Sequence, residues 1–82
     1  MVRVRFSKKF TVILSKIKDQ LLISKIQKQI RKIAENPEVG KPMRNVRKGT
    51  RELYIRPLRL SYSYYVIEDM VIILDLYHKK FQ

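Results

Sequence analysis

Between Phe10 and Ile33 the apolar residues of this chain recur every three or four positions, whereas between Leu53 and Leu76 they recur every second position. A chain that changes period in this way is helical first and extended afterwards, because those spacings mark the buried stripe of a helix and the buried face of a strand. Neither kind of element can bury its apolar side alone. A helical pair packed on one face of a sheet satisfies both.

The punctuation agrees with the period. Val2-Arg3-Val4-Arg5-Phe6 alternates and predicts a first strand, followed by Ser7 as an N-cap. Phe10, Ile13, Leu14 and Ile17 predict one helix, and Leu22, Ile23, Ile26, Ile30 and Ile33 predict a second, capped by Asp19 after a break at residues 16–20. Asn36-Pro37 ends the helical pattern, since proline lacks a backbone donor and restricts the residue before it. Residues 38–49 read as a basic linker with Gly40, Pro42 and Gly49 beside Lys41, Arg44, Arg47 and Lys48.

Three strands follow. Leu53 and Ile55 alternate with polar residues up to Pro57, and Leu58, Leu60, Tyr62, Tyr64 and Val66 continue the alternation. After a turn at Glu68-Asp69, Met70, Ile72, Leu74 and Leu76 form one row and Val71, Ile73, Asp75 and Tyr77 the other. The expected fold is α+β, of order β-α-α-β-β-β. Residues 1–82 are expected to make a single domain of two layers, a helical hairpin on a mainly antiparallel four-stranded sheet. The other sheet face is expected to be open and polar, carrying Glu52, Tyr54, Arg56, Arg59, Ser61, Ser63, Asp75, Tyr77 and Lys79.

Charge limits the partners. Nineteen Lys and Arg against seven Asp and Glu give +12, which attracts polyanions and points first to nucleic acid, with an acidic protein or a membrane surface as alternatives. The hydrophobic share of 45% excludes a disordered basic tail. With no cysteine, neither a disulfide framework nor a cysteine-ligated zinc site can form. Met1 to Phe6 lacks the apolar run of a signal peptide, and the run from Met70 to Leu76 is too short to cross a bilayer. A cytoplasmic protein is expected.

The run Ile33-Ala-Glu-Asn-Pro-Glu-Val-Gly-Lys-Pro-Met-Arg44 resembles the helix end and linker of RelE, ParE and HigB toxins. Gly49-Thr-Arg-Glu-Leu-Tyr-Ile-Arg56 is similar to their second strand. Leu58-Arg-Leu-Ser-Tyr62 resembles their Arg-x-x-Tyr strand, and Ile72 to Lys80 resembles the last strand with its basic end. The match spans essentially the whole chain in order. The resemblance implies the toxin of a type II toxin–antitoxin system, acting as a ribosome-dependent endoribonuclease on translated mRNA, or as a DNA gyrase inhibitor in the ParE branch. It implies as partners a RelB-like antitoxin, acidic or amphipathic, together with the ribosome and mRNA. No membrane partner and no cofactor or metal are implied.

The resemblance puts Arg59 on the scissile phosphate, His78 where some relatives keep a catalytic histidine and others a basic residue, and Lys79 or Lys80 on a C-terminal arginine. Glu52 falls in the strand where some relatives carry an acid and others a lysine. Two features depart from the pattern. The chain stops at Gln82, before the terminal tyrosine of many RelE members, and Glu52, Tyr54 and Arg56 stand where those members carry a lysine pair.

Cleaving RNA without a metal requires a proton acceptor at the 2′-hydroxyl, a cation for the phosphorane and a proton donor for the leaving oxygen. Arginine suits the second task, because its planar fork grips two phosphate oxygens and keeps its proton. Arg59 and Arg56 are therefore either phosphate contacts or solvated charges on an exposed face. His78, the only histidine, is either a proton carrier or a satisfied strand-end residue in the row of Leu74 and Leu76. Lys79 and Lys80 donate a proton or hold phosphate, and Glu52 is a general base or the ion-pair partner of an arginine. Arg44, Arg47 and Lys48 are expected to contact RNA. Tyr54, Tyr65 and Tyr77 stack on bases or pack across strands. The helical cations Lys16, Lys18, Lys25, Lys28, Arg31 and Lys32 form a solvated face or meet ribosomal RNA phosphates.

Overall fold

The computed structural model describes residues 1–44 and 47–78. Strand β1 (Arg3–Phe6) leads through Ser7 into helix α1 (Lys8–Ser15). The Ser7 hydroxyl accepts the Phe10 N–H at 3.0 Å and donates to the Leu74 carbonyl at 2.7 Å. One side chain thus caps the helix and ties its start to the last strand. The helix buries Phe10 completely, with the Phe6 ring stacked on it at 5.7 Å. It ends by tightening, as the N–H groups of Lys16 and Ile17 reach back to the Ile13 and Leu14 carbonyls.

Helix α2 (Gln20–Glu35) starts at Asp19, whose carboxylate accepts the Leu21 and Leu22 N–H groups at 3.0 and 3.3 Å. Its stripe buries Ile26 and Ile33 completely against the sheet, with Leu22 and Ile30 half-buried beside them. Each fully buried side chain of this size stabilises the fold by about 1.5–3 kcal/mol. The expected break between the helices and the stop at Asn36-Pro37 both hold.

The sheet runs in the order β1-β5-β4-β3-β2, antiparallel except where β1 lies parallel to β5. Strands β3 (Arg51–Ile55), β4 (Leu58–Tyr65) and β5 (Met70–His78) are the three expected after the linker. The fifth, β2 (Lys41–Pro42), lies inside that linker and pairs with Arg51 and Glu52. Two residues cannot display a period, and the proline is tolerated because β2 is an edge strand.

The fold corrects the expected β5 rows. Ser61 pairs with Asp75 but Tyr62 pairs with Ile73, so Leu74 is an extra residue in a bulge. A one-residue slip exchanges faces. Val71 and Ile73 therefore share the buried helix-side face with Leu76, while Ile72 and Met70 move to the face of Ser63 and Tyr65.

A phenol fastens the linker to the core. Tyr62, fully buried, accepts the Gly40 N–H at 2.8 Å and donates to the Pro37 carbonyl at 2.7 Å. A Cβ on Gly40 would stand 2.6 Å from that oxygen, so the close approach requires glycine. Burial pushes the Tyr62 hydroxyl above the usual tyrosine value of 10.0, opposed by the Gly40 hydrogen bond and the Arg51 charge. Arg51 Nη1 holds the same segment through the carbonyls of Glu38 and Gly40, at 3.1 and 2.8 Å.

Candidate nucleic-acid interface

The face turned away from the helices is built in lateral rows by the register. One row crosses β3, β4 and β5 as Tyr54, Arg59 and Tyr77, and the next as Glu52, Ser61 and Asp75. In the first row the Arg59 guanidinium lies 5.2 Å from the Tyr54 ring centroid, and Arg56, beside the Pro57 turn, lies 5.9 Å from the same ring. From the linker, Arg47 covers the Tyr77 ring at 4.1 Å. Three guanidiniums thus stand over two phenol rings, and such a contact contributes about 0.5–1 kcal/mol at an exposed site. Such a surface can stack bases and hold phosphates together.

The second row corrects the expectation of a wholly open face. Glu52, Ser61, Ser63 and Asp75 are all buried. Small serines lie between longer neighbours, Arg59 leans over Glu52, and Lys9 from α1 reaches Asp75 at 3.1 Å. Arg59 is itself only 23% exposed in its side chain, which goes against its reading as a solvated charge on an exposed face. Its Nη1 stands 3.6 Å from Glu52 Oε1, close enough for an ion pair and too long for a hydrogen bond. Of the two readings of Glu52, the ion pair with an arginine is the contact present.

The structure gathers some expected residues and separates others. Arg47, Arg56, Arg59 and Tyr77 meet in or beside one row, while Arg44 and Lys48 stand exposed on the linker. His78 is the register partner of Leu58 and shares that residue's face, whereas Arg59 and Tyr77 share the other. Lys79 and Lys80 lie outside the described residues. Sequence reasoning placed Arg47 in the basic linker as an RNA contact; nothing in the local pattern signals its stacking on Tyr77. Among the described residues, no three His, Cys, Asp or Glu side chains stand together as metal ligands, and no helix is long and apolar enough to cross a membrane.

The helical layer holds a cavity of about 640 Å³ lined by Ser24, Lys28, Arg31, Lys32, Glu35, Asn36 and Val39. None of the residues that line it belongs to the arginine–tyrosine row.

The family model of the ParE toxin of type II toxin–antitoxin systems matches residues 4–82. The chain belongs to this family, within the RelE/ParE superfamily of toxins. No curated protein matches the ParE-family chain by sequence. Among solved structures it is similar to the toxin–antitoxin complex RelBE2 from Mycobacterium tuberculosis, at 26% identity and TM-score 0.81 over 95% of this chain and 98% of that one. It is also similar to the YoeB/ParE toxin from Agrobacterium tumefaciens, at 13% identity and TM-score 0.82 over 93% and 96% of the two chains. The intact RelBE complex of E. coli gives 12% identity and TM-score 0.79 over 95% and 96%. The last two establish the fold alone.

Proposed function

We propose that this toxin is a ribosome-dependent endoribonuclease that cuts translated mRNA without a metal and is silenced by an antitoxin. The observation that carries the reading is the row in which Arg47, Arg56 and Arg59 lie over Tyr54 and Tyr77. Arg59 faces the scissile phosphate and offsets charge on the phosphorane, because its guanidinium is ordered before substrate arrives. Arg56 and Arg47 hold flanking phosphates, and the two tyrosine rings stack on bases. His78 at the end of β5, and Lys79 and Lys80 that follow it in the sequence, remain the candidates for proton transfer. His78 would act from the strand end, since its register places it on the face of Leu58. The RelBE2 structure contains a toxin–antitoxin complex, and charge of +12 suits an acidic antitoxin chain steered to this protein.

A second reading is a ParE-like DNA gyrase inhibitor without nuclease activity. The family-model match favours it, and so does the engagement of Arg59 by Glu52. Primer extension on mRNA under translation, run beside a gyrase supercoiling assay, separates the two. Cuts within translated codons and undisturbed supercoiling are expected; gyrase inhibition with intact mRNA would replace the first reading by the second.

A further inference from the structure

The carboxylate of Glu52 has an environment that its neighbours do not explain. Its side chain is 2% exposed, and neither oxygen has a hydrogen-bond donor among the described residues. The Arg59 Nε is likewise buried without an acceptor among them. A carboxylate removed from water without donors is costly, and a bidentate arginine is the usual remedy. Here the fork is 3.6 Å away and not seated. Tyr54, stacked 5.2 Å from the guanidinium, holds Arg59 from the side. Lys41, the register partner of Glu52 on β2, is exposed.

We infer that Glu52 is a positioning residue that acts through Arg59, a resident counter-ion that aims the guanidinium and yields it to a phosphate of single-stranded RNA. The inference rests on the proposed role of Arg59 at phosphate. An unseated pair leaves the outer edge of the guanidinium unspent, so an incoming phosphodiester meets a cation already oriented. Because Glu52 competes for the same charge, it weakens ground-state binding while it shapes the attacking geometry. A proton-accepting base needs contact with the substrate hydroxyl. Glu52 sits behind Arg59 with almost no exposed surface, which suits a counter-ion.

The test is a double-mutant cycle of Glu52→Gln and Arg59→Ala on two readouts. The first is equilibrium binding of a short, non-cleavable 2′-O-methyl oligonucleotide at fixed salt; the second is single-turnover cleavage of ribosome-bound mRNA. Glu52→Gln should tighten oligonucleotide binding about five-fold and slow cleavage by about ten-fold or more, within the range of couplings between close pairs. Both effects should vanish in the Arg59→Ala background. Glu52→Asp, which keeps the charge one methylene back, should lie between wild type and Glu52→Gln. Thermal melts on the same preparations verify folding.

Equal effects of Glu52→Gln with and without Arg59 would overturn the inference, whether the cause were general-base chemistry or simple structural damage. If the wild type cuts no mRNA but the binding cycle is non-additive, the nuclease reading falls and the positioning role stands. An additive binding cycle ends the positioning role even if cleavage is robust.

Discussion

Two buried carboxylates flank Ser61 on the same face, and they are held in different ways. Asp75, in the bulged stretch of β5, accepts the Leu76 N–H at 2.8 Å and pairs with Lys9 at 3.1 Å. Glu52, on β3, has only Arg59 at 3.6 Å and no hydrogen-bond donor among the described residues. Buried polar groups are ordinarily satisfied, so the exception draws the functional reading and the satisfied member serves as its control. Asp75 fastens α1 to β5. Glu52 keeps a charge in reserve.

The strongest way to break this contrast is to remove the cation beside Glu52. Arg59→Ala should slow single-turnover cleavage by about 10²–10³, as loss of a preorganised donor to transition-state charge does. Arg59→Lys, which keeps charge but loses the fork, should fall less far. Arg59→Ala should also lower stability by about 1–3 kcal/mol, because Glu52 is left buried with its cation gone. Adding Glu52→Gln should recover part of that loss in a denaturant melt. A stability unchanged by Arg59→Ala would mean that the pair contributes nothing to folding.

Tyr62 sharpens the contrast from the satisfied side, since it both donates and accepts within the core. Tyr62→Phe should cost about 1–3 kcal/mol by leaving the Gly40 N–H and Pro37 carbonyl unpaired. The folded hydroxyl holds its proton above the usual 10.0, so its contribution is complete below that pH. Stability should fall as pH rises past 10.0 towards the folded value, because the unfolded chain ionises first. Melts of wild type and Tyr62→Phe across that range should therefore converge; parallel curves would remove the burial argument.

A smaller effect is expected at the other end of the arginine–tyrosine row. Arg47→Ala removes the guanidinium over Tyr77 and should weaken oligonucleotide binding by about 0.5–1 kcal/mol without changing the melting temperature. An unchanged salt dependence of binding would show that Arg47 meets no phosphate. The smallest effect tests the control itself. Lys9 is 70% exposed in its side chain, so Asp75→Asn should change stability by less than about 1 kcal/mol and leave cleavage at the wild-type rate. A cleavage defect in Asp75→Asn equal to that of Glu52→Gln would erase the distinction between the two carboxylates.

Local chemistry in the chain determined the elements. The Ser7 and Asp19 caps, the helical stripe through Ile26 and Ile33, the stop at Asn36-Pro37 and the alternation around Leu60 and Tyr62 all depend on residues close in sequence. The resemblance of the same stretches to RelE and ParE toxins made the family legible as well. Arg56, Arg59 and Tyr77 were legible as members of one surface because alternation alone assigns their face.

Tertiary structure decided what those residues do to one another. The extra residue at Leu74 is a property of pairing between β4 and β5, so no period within β5 could announce that Val71 and Ile73 turn inward. The two-residue β2 exists only because Arg51 and Glu52 lie beside it. Arg47 finds Tyr77 across 30 residues of chain, and Glu52, buried on β3, meets Arg59 of the neighbouring strand at 3.6 Å. Polar letters in a strand indicate a face. Whether that face is wet or desolvated depends on the reach of long side chains from other elements, which is a fact of three dimensions.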